Sequence, residues 1–151
     1  MTEKFLPFAL PDIGEEEINE VVNTLRSGWV TTGPKTKQFE EAFAAYIGGN
    51  VEAISVNSAT AGLHLALEAC GVGYGDEVII PTPFWVTYSE LVRLADGNPV
   101  FVQSSIESNY KITPEQLEKA ITPKSKLFMF SSPCNPSGSV YSKEELKGLA
   151  D

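Results

Sequence analysis

Three short segments of the sequence place polar, aromatic and turn-forming residues directly after a run of apolar residues. They are segment 57–63, Asn-Ser-Ala-Thr-Ala-Gly-Leu, segment 81–85, Pro-Thr-Pro-Phe-Trp, and segment 131–138, Ser-Ser-Pro-Cys-Asn-Pro-Ser-Gly. Ligands of parallel sheets bind outside the carboxyl ends of the strands, where segments that follow strands lie. These three segments are therefore the candidates for a binding site.

Segment 57–63 has the composition of a helix start that binds phosphate. Small residues let the backbone approach a ligand closely, and the unpaired amides of a first helical turn point at an anion. The hydroxyls of Ser58 and Thr60 add two hydrogen-bond donors. The segment matches neither a P-loop nor a dinucleotide fingerprint. An ordinary helix cap explains the same residues.

The other two segments offer an aromatic face and an amide. Trp85 follows an apolar strand pattern and presents a flat surface on which a heteroaromatic ring can stack. A Trp packed in the core is the alternative. In segment 131–138, two prolines and a glycine fix an irregular turn, from which Asn135 projects a polar amide. An Asn that only stabilises the turn is the alternative.

The elements that position these segments are predicted from apolar spacing and from capping residues. Helices are expected near residues 18–25, 39–46, 63–70, 88–95 and 117–121, and strands near residues 53–56, 78–80, 99–103 and 127–130. Thr113-Pro-Glu-Gln and Ser142-Lys-Glu-Glu are capping boxes that begin helices. Strands separated by single helices indicate a mainly parallel sheet with right-handed crossovers. We therefore expect a three-layer α/β/α fold.

Composition excludes several classes of function. The chain has 151 residues, one domain's length, and a net charge of −9, which opposes binding to nucleic acid or acidic membranes. No apolar run is long enough to cross a bilayer, and the first residues lack a signal pattern. We expect a cytoplasmic protein. Cys70, Cys134 and the single histidine, His64, suggest no metal site; one buried thiol, one incidental thiol and a structural histidine are expected.

The sequence resembles fold-type I pyridoxal-phosphate aminotransferases. Residues 5–80 resemble the DegT/StrS nucleotide-sugar aminotransferases, and residues 81–151 resemble class I aspartate aminotransferases. The first likeness rests on residues 13–18, 27–34 and 57–67, and the second on residues 81–88, 112–118 and 132–141. The two likenesses meet near residues 75–83, which indicates a chimera of two branches, either natural or engineered.

The resemblance implies a role for each candidate residue. The amides of Thr60 and Ala61, with Ser58 nearby, would hold the phosphate of pyridoxal 5'-phosphate. Trp85 would stack on the pyridine ring, and Asn135 would donate a hydrogen bond to its phenolic oxygen. The resemblance also implies cis peptide bonds before the prolines at positions 83 and 136.

The resemblance further implies how the chain is organised. Residues 1–33 would form an arm and a helix and residues 34–151 βα units, together one partial cofactor-binding domain of a homo-oligomer. The Schiff-base lysine, an aspartate and a substrate arginine of the family lie beyond residue 151. We expect weak cofactor binding and no activity from this chain alone. The complete enzyme would transfer an amino group between an amino acid and an oxo-acid or oxo-sugar. The alternative is a self-standing, non-catalytic α/β module.

Overall fold

The computed structural model describes residues 9–151, which divide into two compact units, one ending at Ser55 and one beginning at Val56. The first unit contains helices α1 (Glu15–Ser27) and α2 (Pro34–Tyr46). The Gly14 amide, just before α1, donates to the Glu17 carboxylate at 2.7 Å. Gly28 ends α1 with φ of 74°, a left-handed conformation that glycine adopts without strain. Neither helix has a buried residue.

The second unit is built on a three-stranded parallel sheet. Its strands are β1 (Glu77–Pro81), β2 (Asn98–Val102) and β3 (Ser125–Phe128), in the spatial order β2-β1-β3. Its helices are α3 (Ala59–Ala69), α4 (Thr87–Leu94), α5 (Pro114–Ala120) and α6 (Lys143–Ala150). A helix precedes both β2 and β3 and lets the chain cross back before each strand begins. Both strands therefore pair with β1 in parallel, as predicted.

The central strand β1 supplies both faces of the hydrophobic core, because successive residues of a strand point to opposite sides. Val78 and Ile80 pack with residues of α3, α4 and the turns beside them: Leu67, Val72, Leu91, Val92 and Ala95. Ile79 packs on the other side with Val102, Ile112 and Leu117, and Leu149 of α6 closes that side. Helices therefore cover both faces of the sheet, and the predicted three-layer α/β/α fold class is confirmed.

Capping residues place two helices where the sequence predicts them. The Thr113 hydroxyl accepts the Gln116 amide before α5, and the Ser142 hydroxyl accepts the Glu145 amide before α6. In each case the side chain at the third helical position accepts a hydrogen bond from the backbone amide of the capping residue. These capping boxes are confirmed.

The predicted strand at residues 53–56 is wrong. These residues pair with no strand in the described part of the chain, and the Ser55 amide donates to the Glu40 carboxylate at 2.7 Å instead. A strand exists only where a neighbour supplies its hydrogen bonds.

The predicted buried thiol is also wrong: Cys70 is exposed at the end of α3, and Cys134 is half-buried. His64 is half-buried on α3, with its Nε2 3.4 Å from the Glu68 carboxylate.

Candidate functional site

The start of α3 is an exposed helix amino terminus capped by serine. Ser58 has an extended backbone, and its hydroxyl accepts the Ala61 amide at 3.1 Å. The amides of Ala59 and Thr60 also lie in the first turn, where a helix offers no carbonyl partner. The side chains of Ser58 and Thr60 are exposed and Ala61 is half-buried. The helix-cap explanation is therefore correct, and it leaves two amides and the Thr60 hydroxyl to meet an anion.

Helix α3 packs on the face of the sheet to which Val78 and Ile80 point. A short turn joins the end of α3 to the beginning of β1, and Val72 in that turn lies against Gly97, just before β2. Leu67 packs α3 onto the sheet. With 11 residues in α3 and 5 in β1, both elements are about 16 Å long. Helix α3 and strand β1 are therefore of similar length, and α3 leads into β1 through residues 70–76.

Segment 81–85 leaves the carboxyl end of β1. The Thr82 amide donates to the Val102 carbonyl at 2.9 Å, which continues the β1–β2 ladder past Pro81. The Thr82–Pro83 peptide bond is cis, as the sequence analysis expects. Trp85 is half-buried, and its ring meets Tyr88 edge to face at 5.8 Å.

Segment 131–138 leaves the carboxyl end of the neighbouring strand β3. The turn closes on itself: the Gly138 amide donates to the Cys134 carbonyl at 2.7 Å, and the Cys134 amide donates to the Ser139 carbonyl at 2.9 Å. Asn135 is exposed, and its backbone amide donates to the Ser131 hydroxyl at 3.4 Å. The expected cis bond before Pro136 is present, and the Ser132–Pro133 bond is also cis.

The structure joins two of the three candidate segments directly. The Cys134 thiol donates to the Pro83 carbonyl at 3.3 Å, which ties the Asn135 turn to the Trp85 segment. The start of α3 belongs to a helix that packs against α4, the helix that Trp85 precedes. Within residues 9–151, no hydrogen bond links Ser58, Thr60 or Ala61 to either of the other segments. The roles of the five residues stay predictions.

Sequence reasoning missed the residues that hold the Asn135 turn in place. Tyr141, 6% exposed, donates its amide to the Ser132 hydroxyl at 3.0 Å, and its own hydroxyl accepts the Ile112 amide at 2.9 Å. Ser139, 5% exposed, donates its hydroxyl to the Asn109 carbonyl at 2.6 Å. Ile112 and Asn109 lie about 30 residues earlier in the chain, so no local pattern signals these contacts.

Burial and hydrogen bonding shift the pKa values of two side chains near the Asn135 turn, Tyr141 and Glu145. Burial raises the pKa of the Tyr141 phenol above its ordinary value, against the opposing effect of the Ile112 amide. The hydrogen bond from Lys111 holds the pKa of the Glu145 carboxyl below its ordinary value. Lys111 also lies 5.9 Å from the centre of the Tyr141 ring. The charges of Lys111 and Glu145 therefore lie close to Tyr141, the residue that holds the Asn135 turn through Ser132.

The described residues contain no cluster of three side chains able to hold a metal ion. Over the same residues, no helix is both long and apolar enough to cross a membrane.

A small apolar cavity lies behind the Asn135 turn. Its lining includes residues of segments 81–85 and 131–138, and its volume is about 10 Å³. A ligand of the site would therefore lie outside this cavity, on the exposed edge.

A parallel sheet between two helical layers, with polar segments that leave the carboxyl ends of β1 and β3, defines an α/β protein, and ligands of such sheets generally bind at that edge. Residues 11–145 match the DegT/DnrJ/EryC1/StrS aminotransferase family. The chain belongs to this family.

Solved structures of two kinds of aminotransferase resemble the chain. A sugar aminotransferase from Streptococcus pneumoniae, Spr1654 in its PLP form, is 38% identical with a TM-score of 0.77, over 95% of this chain and 36% of that one. The aspartate aminotransferase from Rhizobium meliloti is 30% identical with a TM-score of 0.70, over 96% and 39%. An aromatic aminotransferase from Pyrococcus horikoshii is 30% identical with a TM-score of 0.72, over 93% and 41%.

The matches include both kinds of aminotransferase that the motifs resemble, and each covers most of this chain. The chain spans about a third of the sugar aminotransferase and about two-fifths of the other two. The recognition of a portion of a fold-type I aminotransferase is confirmed.

Proposed function

We propose that this chain supplies the part of an aminotransferase that binds pyridoxal 5'-phosphate. The observation that carries the proposal is the exposed, serine-capped start of α3, in the same unit as the Trp85 and Asn135 segments, which leave the carboxyl ends of β1 and β3. The family match and the PLP form of the similar sugar aminotransferase support this choice of cofactor. When bound, pyridoxal phosphate acts as the electron sink for carbanion chemistry.

The residues present fit the phosphate group. A helix amino terminus favours an anion through its free amides and its dipole. The amides of Ala59 and Thr60 and the Thr60 hydroxyl would donate to the phosphate, while Ser58 keeps the first turn in place. Small side chains at positions 59 and 61 leave the backbone accessible. Ala61 would contribute through its amide only if the phosphate replaced the Ser58 hydroxyl.

The residues at the other two segments fit a flat, polar ring. Trp85 is anchored edge-on against Tyr88 and would stack on the pyridine ring. Asn135 is exposed on a turn that is held at several points, so its amide would orient the ring's phenolic oxygen. Together the three segments would bind and orient the cofactor.

Phosphate binding at α3 is tested by titrating the 151-residue chain with pyridoxal phosphate, with and without inorganic phosphate as competitor. Thr60→Val removes the hydroxyl at nearly constant size, and we expect it to weaken binding about tenfold, on the scale of a hydrogen bond to a charged group. Ala69→Val, at the other end of the same helix, is the matched control for helix propensity. Trp85→Ala should weaken binding partially. Equal affinities for Thr60→Val and Ala69→Val, or binding insensitive to phosphate, would refute the assignment.

Catalysis by this chain alone is not expected. None of the three candidate segments contains a lysine, which the chemistry needs as a nucleophile toward the cofactor. Five of the eight lysines in the described residues form ion pairs: Lys35 with Glu20, Lys37 with Glu41, Lys111 with Glu145, Lys126 with Asp76, and Lys147 with Asp151. A single-turnover assay with aspartate or glutamate tests this, and conversion faster than with free cofactor would overturn it.

In the complete enzyme, we propose transfer of an amino group between an amino acid and an oxo-acid or oxo-sugar. The sugar and aspartate aminotransferases among the similar structures support this range of substrates. We also propose a cytoplasmic location, and the net charge of −9 supports the absence of nucleic-acid and membrane partners. Electrophoretic shift and vesicle-sedimentation assays at low salt check this, since binding in either would contradict it.

We also propose that the chain associates with a second copy through its first unit. Val21 and Leu25 of α1 and Phe39 of α2 line an open apolar groove of about 570 Å³, and all three are more than half exposed. Contiguous apolar surface of this kind marks an interaction site. Sedimentation equilibrium should show a dimer, and Leu25→Glu should shift it to monomer. A monomer at high concentration for the unmodified chain would contradict the proposal.

The junction of two aminotransferase branches near residues 75–83 remains our proposal for the origin of the sequence. The family match runs across this position, from residue 11 to residue 145. Residues 5–80 and 81–151 should therefore be aligned separately with sugar and aspartate aminotransferases. Higher identity of both parts to the same branch would rule out the junction.

A further inference from the structure

The Asn135 turn and the Trp85 segment meet at one polar contact. The Cys134 thiol donates to the Pro83 carbonyl at 3.3 Å, an ordinary length for a hydrogen bond with sulfur. Cys134 immediately precedes Asn135, and Pro83 lies two residues before Trp85. The contact therefore spans two loops that leave neighbouring strands, β3 and β1.

The rest of the Asn135 turn is anchored on its far side. The Ser139 hydroxyl donates to the Asn109 carbonyl, and the Tyr141 amide donates to the Ser132 hydroxyl. Ser139 and Tyr141 are buried while their partners Asn109 and Ser132 are exposed, so both contacts are partly buried. The near side, which faces the Trp85 segment, has the thiol contact of Cys134 and apolar packing around the small closed cavity.

We infer that Cys134 is a positioning residue, whose thiol holds the segment of Trp85 and the turn of Asn135 in fixed relation to each other. Trp85 and Asn135 would contact different parts of one rigid ring, so their relative position decides whether both contacts form together. The consequence for cofactor affinity rests on the proposed function. The consequence for the mobility of Trp85 does not.

Mobility of the segment is measured first, without cofactor. The chain has two tryptophans, so Trp29→Phe leaves Trp85 as the only one. In that background, Cys134→Val keeps the side chain's bulk but removes the donor, and Cys134→Ser keeps a donor. We expect Cys134→Val to raise acrylamide quenching of Trp85 about twofold, and Cys134→Ser to stay closer to the parent, because a hydroxyl can also donate to the carbonyl.

Affinity for pyridoxal phosphate is measured next on the same variants of the 151-residue chain. We expect Cys134→Val to weaken binding about threefold, since a thiol is a weak donor, with Cys134→Ser weakened less. Cys70→Ala is the matched control, because that thiol is exposed at the end of α3. Thermal unfolding of each variant identifies any that fail to fold.

The two readouts separate failure of this inference from failure of the proposed function. If no variant or parent binds pyridoxal phosphate but Cys134→Val still loosens Trp85, the proposed function fails and the positioning contact stands. If the parent binds the cofactor and Cys134→Val matches it in both quenching and affinity, the contact has no positioning role. A larger effect for Cys134→Ser than for Cys134→Val would show that side-chain volume matters rather than the hydrogen bond, and would overturn the inference.

Discussion

The Tyr141 hydroxyl helps to hold the Asn135 turn in place, and the effect of its loss on the free energy of unfolding can be measured directly. It accepts the amide of Ile112 at 2.9 Å, and Ile112 is only 4% exposed. Tyr141→Phe removes the acceptor but keeps the ring, so no cavity is created. The Ile112 amide is then left buried without a partner, which costs about 1–3 kcal/mol of unfolding free energy. At the middle of that range, we expect the melting temperature to fall by roughly 4–8 °C for a chain of this size.

The assay is chemical and thermal denaturation of Tyr141→Phe beside Tyr74→Phe. Tyr74 is 97% exposed, so its hydroxyl remains in water and its loss should change stability by less than about 0.5 kcal/mol. Equal stability of the two variants would show that the Ile112 amide has another partner. It would refute the conclusion that Tyr141 ties the Asn135 turn to the residues before α5.

The same tyrosine predicts a pH dependence at alkaline pH. Burial raises its folded pKa above the unfolded value near 10.0. The folded chain therefore holds this proton more tightly, and the stabilisation is complete below the unfolded pKa and declines as pH rises through the folded pKa. Unfolding of the parent chain should become easier above about pH 10, and Tyr141→Phe should lose that part of the decline. An identical alkaline decline in both chains would contradict the assignment.

Two further predictions concern packing and acid stability. Gly97→Ala should destabilise the second unit by about 1–3 kcal/mol, because a Cβ there would lie 2.7 Å from Val72 Cγ1; Gly73→Ala, which meets nothing within 4 Å, should leave the melting temperature nearly unchanged. Comparable melting points for these variants would contradict the crowding. The hydrogen bond from Lys111 lowers the folded pKa of Glu145, so its stabilisation is present above the ordinary value near 4.5 and is lost as pH falls through the folded pKa. Glu145→Gln should show a smaller acid-induced loss of stability in pH-dependent denaturation, and an unchanged acid limb would contradict this.

Helix starts could be predicted from the sequence because their determinants are local. Thr113 and Ser142 each lie three residues before the side chain that completes the cap, and the structure has both capping boxes. The cap at Ser58 is equally local, because its hydroxyl accepts the Ala61 amide three residues later. The two faces of β1 are likewise set locally, because successive strand residues point to opposite sides: Val78 and Ile80 to one apolar cluster, Ile79 to the other.

Strand formation at residues 53–56 could not be decided locally. The apolar pattern there is that of a strand, but pairing requires a neighbouring backbone, and Ser55 finds the Glu40 carboxylate instead. Burial of the thiols could not be read from composition either. Cys70 lies on the solvent side of α3, and Cys134 lies at the contact between two loops.

By itself, the sequence determined the alternation of helices with strands, the caps, and the candidate residues Ser58, Thr60, Trp85 and Asn135, because these depend on residue type and short spacing. Only the tertiary structure decided which segments meet. The contacts of Cys134 with Pro83, and of Tyr141 with Ile112, join residues that are 51 and 29 positions apart. Such contacts form because the parallel sheet brings the carboxyl ends of its strands to one edge. The packing of the whole second unit, rather than any local pattern, sets which side chains face each other there.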